Sequence, residues 1–229
     1  MNLEFLLRLG DDRLVLGHRL SEWCGHAPIL EEDIALANIA LDCIGHASAL
    51  LHLAGEVEGK GRTADDLAYF RDVMDFRNCL LVEQPNGDFA FTIARQFLFD
   101  AYAVHLYEAL QEHNHHELAA IATKAVKEIR YHLRHSSEWT RRLGDGTEES
   151  HQRIQNAFDE LWQFTGELFE VEPHLKPAWD NTVNEVLASA TLLRPADTSF
   201  HLHARHTEHL GHLLAEMQSL ARSIPGARW

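Results

Sequence analysis

Helical periodicity runs through almost all of this chain, and no segment alternates apolar and polar residues as a half-buried strand would. Helices of that kind must each bury an apolar stripe against another helix, which leaves an all-α architecture. Gly, Pro and Asn set the punctuation. A first helix is expected from Leu3 to Cys24, ended by Gly25 to Pro28. Pro28 opens a second helix to about Glu56, with Ile34, Ala37, Leu41, Ile44 and Leu51 as its apolar positions. Its first turns carry Glu31, Glu32 and Asp33, the sign that suits the positive end of a helix dipole. Thr63 reads as the N-cap of a shorter helix through Arg71, and Gln84 to Asp88 as a turn in which Asn86-Gly87 tolerates positive φ. Further helices are expected over Phe89–Gln111, Glu117–Leu143, Glu148–Glu170, Ala178–Ala190 and His201–Ile224, with an irregular crossing from Thr191 to Ser199. The expectation is one domain over 1–229, a four-helix bundle with additional C-terminal helices.

Thirty-five acidic residues against 20 basic give a formal charge of −15, which argues against nucleic acid, since phosphate binding needs a basic face. The first residues have neither the basic lead nor the long apolar core of a signal peptide. No stretch is read as approaching the ~20 apolar residues of a membrane span. Three cysteines, Cys24, Cys43 and Cys79, lack metal-site spacing and fit reduced core thiols in a cytoplasmic protein.

Antiparallel helices joined by a short loop place residues equidistant from that loop at one height. Asp100 and Glu128 each lie 14 residues from Asn114, and Asp12 and Asp42 each 15 from Ala27. Asp42 is followed four residues later by His46, and Glu128 by His132. Two hairpins thus each offer an acid, then an acid with a histidine, the outline of a ferritin-like dimetal site. The details depart from it. Such sites space Glu and His by three residues, turning the histidine about −60° around the helix, whereas four turns it about +40°. Gly45 and Tyr131 hold the places at spacing three, and three of the four acids are the shorter Asp. Lys124 precedes Glu128 by one turn and Arg95 is near Asp100, so protein cations are expected to supply the neutralising charge. The set is read as a relic with no metal, cofactor or catalytic residue. The alternative is a di-iron oxygenase or oxidase using Asp12, Asp42, His46, Asp100, Glu128 and His132.

Other signals are weaker. His201, His203, His206, His209 and His212 approach helical spacing, a stripe that binds zinc or copper in some settings and is otherwise a polar face. The glycines of 55–61 and 144–146 follow no strand and make no phosphate loop. Ser21, Ser136 and Ser137 lack a nucleophile turn. Trp139, Trp162 and Trp179 read as core or interface anchors. Arg130, Arg134, Arg141 and Arg142 are the only basis for a coenzyme A site, and otherwise a solvated or partner-facing surface.

Several runs resemble one family: Arg8–Asp12, Leu20–Pro28, Ala35–Ile39, Leu80–Gly87, Thr92–Gln96, Lys127–Arg134, His206–Gly211 and Leu214–Gln218 with Pro225-Gly226. They are similar to the C subunits of the bacterial phenylacetyl-coenzyme A epoxidase, and the runs Val82–Gly87 and Thr207–Gly211 are the specific ones. The resemblance implies a ferritin-like fold and a structural, non-catalytic role in aerobic phenylacetate breakdown. It implies as partner a di-iron catalytic A subunit, with other subunits and an NADPH-fed reductase in the complex, and leaves self-association open when the chain is alone. The segment from Pro173 to Phe200 is shorter than that pattern, and His203 and His212 are additions to it. No ligand carries over, because the positions that would hold them do not match.

Overall fold

The computed structural model describes residues 2–197, 205–224 and 226. Ten α-helices lie along them: α1 (Leu3–Ser21), α2 (Leu30–Glu58), α3 (Ala64–Tyr69), α4 (Leu80–Glu83), α5 (Phe89–Leu110), α6 (His116–Gly144), α7 (Glu148–Leu161), α8 (Lys176–Ser189), α9 (Glu208–Met217) and α10 (Ser219–Ser223). Among the described residues there is no strand. The chain forms two compact units, Met1–Gln84 with His203–Trp229, and Pro85–Leu202.

Helix starts follow side-chain capping of the free N–H groups of the first turn. Asn2 accepts from the Glu4 N–H at 3.0 Å, Asp88 from Phe91 at 2.9 Å and Thr147 from Ser150 at 3.1 Å. Thr63 and Asp66 exchange bonds in a full capping box. Gly87, at φ 58°, makes the expected positive-φ turn before α5.

In the first unit α1 packs along α2, burying Leu6, Leu9, Leu16 and Leu20 with Leu36, Ile39, Cys43 and Leu50. Each such side chain contributes about 1.5–3 kcal/mol when fully buried. This is not the face of α2 that the periodicity picks out. Ile34 is 55% exposed and Leu41 66%, because α2 is apolar on every side and pattern alone does not say which side meets α1. Its carboxylates cluster at its ends with Asp42 alone midway, so by length and composition α2 is apolar enough to cross a membrane. That corrects the expectation of no such stretch. Less than half of that apolar window is buried within the fold.

In the second unit α5 is buried on nearly all sides, against α6, α7 and α8. Trp179 is 1% exposed and donates to the Leu98 carbonyl at 3.0 Å, and Trp162 is also buried, so both are core anchors. The helix expected to reach Glu170 stops at Leu161 and continues as short 3₁₀ turns through Leu175. The expected last helix is two, broken at Gln218, and its first residues 201–204 lie outside the described residues. Gln218 is buried and donates to the Ala68 and Arg71 carbonyls at 3.1 and 3.0 Å, a tertiary contact that competes with helix continuation.

At the end of α6 a Cβ on Gly144 would strike the backbone carbonyl oxygen of Ala190. Gly144→Ala is therefore expected to lower stability by about 1–3 kcal/mol in denaturant titrations, through overpacking that no side-chain rotation relieves.

Candidate metal centre

The two second helices of the hairpins, α2 and α6, present their candidate residues in the same way. On α2 Asp42 is half-buried, Gly45 is exposed and His46 is buried. On α6 Glu128 is half-buried, Tyr131 is 43% exposed and His132 is fully buried. The positions three residues after the acid point outward in both helices, and those four after it point inward. The ~100° step per residue makes these facings exclusive, so a histidine at 45 or 131 would not share a site with the acid's inner face.

Asp100, fully buried on α5, accepts from Gln96 Nε2 at 2.8 Å and from Ser136 Oγ at 2.9 Å. Ser136 lies eight residues beyond Glu128, the residue that equal spacing from the loop pairs with Asp100. Helical side chains lean toward their own N-terminus, which carries Asp100 away from the loop and Ser136 toward it. Of the two cations expected nearby, Lys124 is exposed, and Arg95 is fully buried and donates to Asn86 Oδ1 at 2.7 Å.

In the other unit Asp11 and Asp12, both buried on α1, grip the segment after α3. The Arg71 guanidinium donates to both Asp11 oxygens, and the Arg77 N–H to one of them at 2.9 Å. Burial pushes the Asp11 carboxyl up against the pull of these donors. Asp12 Oδ1 accepts from the Cys79 N–H at 2.7 Å. Burial raises Asp12 to about 6, opposed by Arg8 and by the Cys79 N–H.

A second polar centre in this unit has no motif to announce it. Glu83, fully buried at the end of α4, accepts from His206 Nδ1, from Asn78 at 3.0 Å, and from the N–H and hydroxyl of Thr207 at 2.7 Å each. His206 Nε2 lies 3.1 Å from the Phe76 carbonyl, so each ring nitrogen faces an oxygen. Arg19 ties the same corner by bonding the Glu83 carbonyl at 2.8 Å and that of His209 at 3.2 Å. The only sequence signal is indirect: Glu83 and Thr207 sit in the two runs most specific to the family resemblance, with His206 adjoining. His206 precedes α9 while His209 and His212 lie on it, and His201 and His203 are outside the described residues, so no single helical histidine stripe forms among those described.

Among the described residues, no three His, Cys, Asp or Glu side chains gather as a metal-holding group. The acids and histidines picked out by spacing thus lie on the expected helices, yet the carboxylates of Asp12 and Asp100 are engaged by protein donors. The arginines of α6 are engaged at the surface: Arg130 with Glu108 at 2.7 Å, Arg141 with Ser189 at 2.8 Å, Arg134 over Tyr131 and Arg142 over Trp139. Ser136 is a donor to Asp100 and not a nucleophile at a sharp turn.

Comparison with known proteins agrees with this architecture. The family model described as phenylacetic acid catabolic protein matches residues 1–229. A relative from Escherichia coli (strain K12), the C subunit of 1,2-phenylacetyl-CoA epoxidase, is 49% identical over 243 residues, covering 98% of each chain.

Two predictions test these polar centres. Because the folded pKa of Asp12 lies above its unfolded value of 3.8, its contribution favours the native state below pH ~4 and is lost as pH rises to about 6. Asp12→Asn, which keeps the acceptor for Cys79, should gain about 3 kcal/mol over the wild type between those pH values in paired denaturation curves. Arg71→Met leaves Asp11 buried without its ion pair and should cost about 3–5 kcal/mol at pH 7.

Proposed function

The chain belongs to the phenylacetic acid catabolic protein family, and from that premise we propose that it is the non-catalytic structural subunit of a phenylacetyl-CoA 1,2-epoxidase. In this reading it binds and stabilises the di-iron catalytic subunit during aerobic phenylacetate breakdown. It works in the cytoplasm as one ferritin-like domain, its three cysteines remaining thiols, and none of its residues serves as a metal, cofactor or catalytic ligand.

The observation that carries the reading is the outward facing of Gly45 and Tyr131. A di-iron hairpin needs a histidine three residues after its second acid, and here those places belong to the outside of α2 and α6. The protein donors on Asp12 and Asp100 support it further, since they supply hydrogen bonds that a buried carboxylate needs when no cation is beside it. In this reading the protein acts by association. Binding that favours the folded partner stabilises both chains by mass action.

Purified chain expressed with ample iron is expected to carry no stoichiometric iron and to show no oxygenase activity alone. Mixed with the catalytic subunit it is expected to elute as a hetero-complex and to raise that protein's thermal stability. Stoichiometric iron that is lost in Asp100→Ala with Glu128→Ala would instead make the chain a di-iron enzyme.

A further inference from the structure

Three large apolar side chains stand uncovered along the outer face of α2. Leu30 is 70% exposed, Ile34 55% and Leu41 66%, and with exposed Asn38, Gly45 and Ser48 they form one stripe about 27 Å long. Large apolar side chains grouped on one helix face and set among small polar ones are the pattern of an interaction site. Gly45 adds an independent observation. It sits in mid-helix, where glycine weakens a helix relative to alanine, and a Cβ there would meet nothing within 4 Å. Nothing in this chain's own packing requires a glycine at that point, whereas a second helix backbone crossing there would.

Charge selects the occupant. α2 carries not one Lys or Arg, and while Glu32 is buried and Glu58 is paired with Arg62 and Lys60, Glu31 and Glu56 are exposed and Asp33 and Asp42 half-exposed. Two copies of α2 set face to face, in either direction, would bring carboxylates against carboxylates, and an anionic bilayer would repel the same groups. A helix with an apolar stripe flanked by Lys and Arg meets both the surface and the charge. We propose that the Leu30–Ile34–Leu41–Gly45 face of α2 is the docking surface for such a helix of the catalytic subunit, an assignment that rests on the structural-partner reading above.

Full-length chain and catalytic subunit are titrated by calorimetry, with melting curves of the isolated chain alongside. Gly45→Ala should raise the melting temperature of the isolated chain by about 2–4 °C, since alanine is the better helix former at an open position. The same change should weaken the complex about tenfold or more, a split of sign that a purely structural role does not produce. Ile34→Glu should weaken it about a hundredfold, and Tyr131→Glu on α6 should leave it unchanged. If the wild type binds and both α2 variants bind equally well, the surface is wrong and the structural-partner reading stands. If the wild type does not bind, both fall. A homodimer, or binding to phosphatidylserine vesicles, that Ile34→Glu abolishes would give the face to another occupant and overturn the proposal.

Discussion

A carboxylate buried among helices must be met by donors or by a cation, because an unmet buried charge costs far more than a fold of this size has to spare. Much of this structure follows from how that demand is answered. Asp11 takes Arg71 and an N–H, Asp12 takes the N–H of Cys79, and Glu83 takes four donors from Asn78, His206 and Thr207. The consequence is architectural. Residues 71–79, too irregular to form a long helix, are pinned to α1, and the segment entering α9 is pinned to α4. In the other unit Asp100 is answered by Gln96 and Ser136 across the α5–α6 hairpin. Each acid is thereby a structural fixture.

Packing also sets which candidate ligands of each hairpin face inward. A metal pair organises a bundle by drawing several acids and histidines inward to shared points. Here the inward histidines, His46 and His132, stand at a spacing of four, and Gly45 and Tyr131 are turned to the outside. The two runs most specific to the family, around Glu83 and Thr207, meet each other in a hydrogen-bonded corner. In that corner the specific sequence ties α4 to the segment entering α9.

Sequence is a good guide to this fold where the physics is local. The caps at Thr63 and Asp88, the turn at Gly87 and the ends of the four long helices depend on neighbours a few residues away. It is a poor guide where facing matters. Periodicity assigns Ile34 and Leu41 to the core because α2 is apolar all round, and equal spacing pairs Asp100 with Glu128 because it ignores the lean of side chains. The break at Gln218 leaves no local trace, since it arises from contacts with Ala68 and Arg71, some 150 residues away.

The sequence by itself determined that the chain is helical, where its helices start, and which acids and histidines share a helix, since each depends on the short period of one backbone. Only the tertiary structure decided which side of each helix is inside, and hence that Gly45 and Tyr131 face out while Asp11, Glu83 and Asp100 bind distant donors. A facing is fixed by what packs against it, and no repeat within one helix records that.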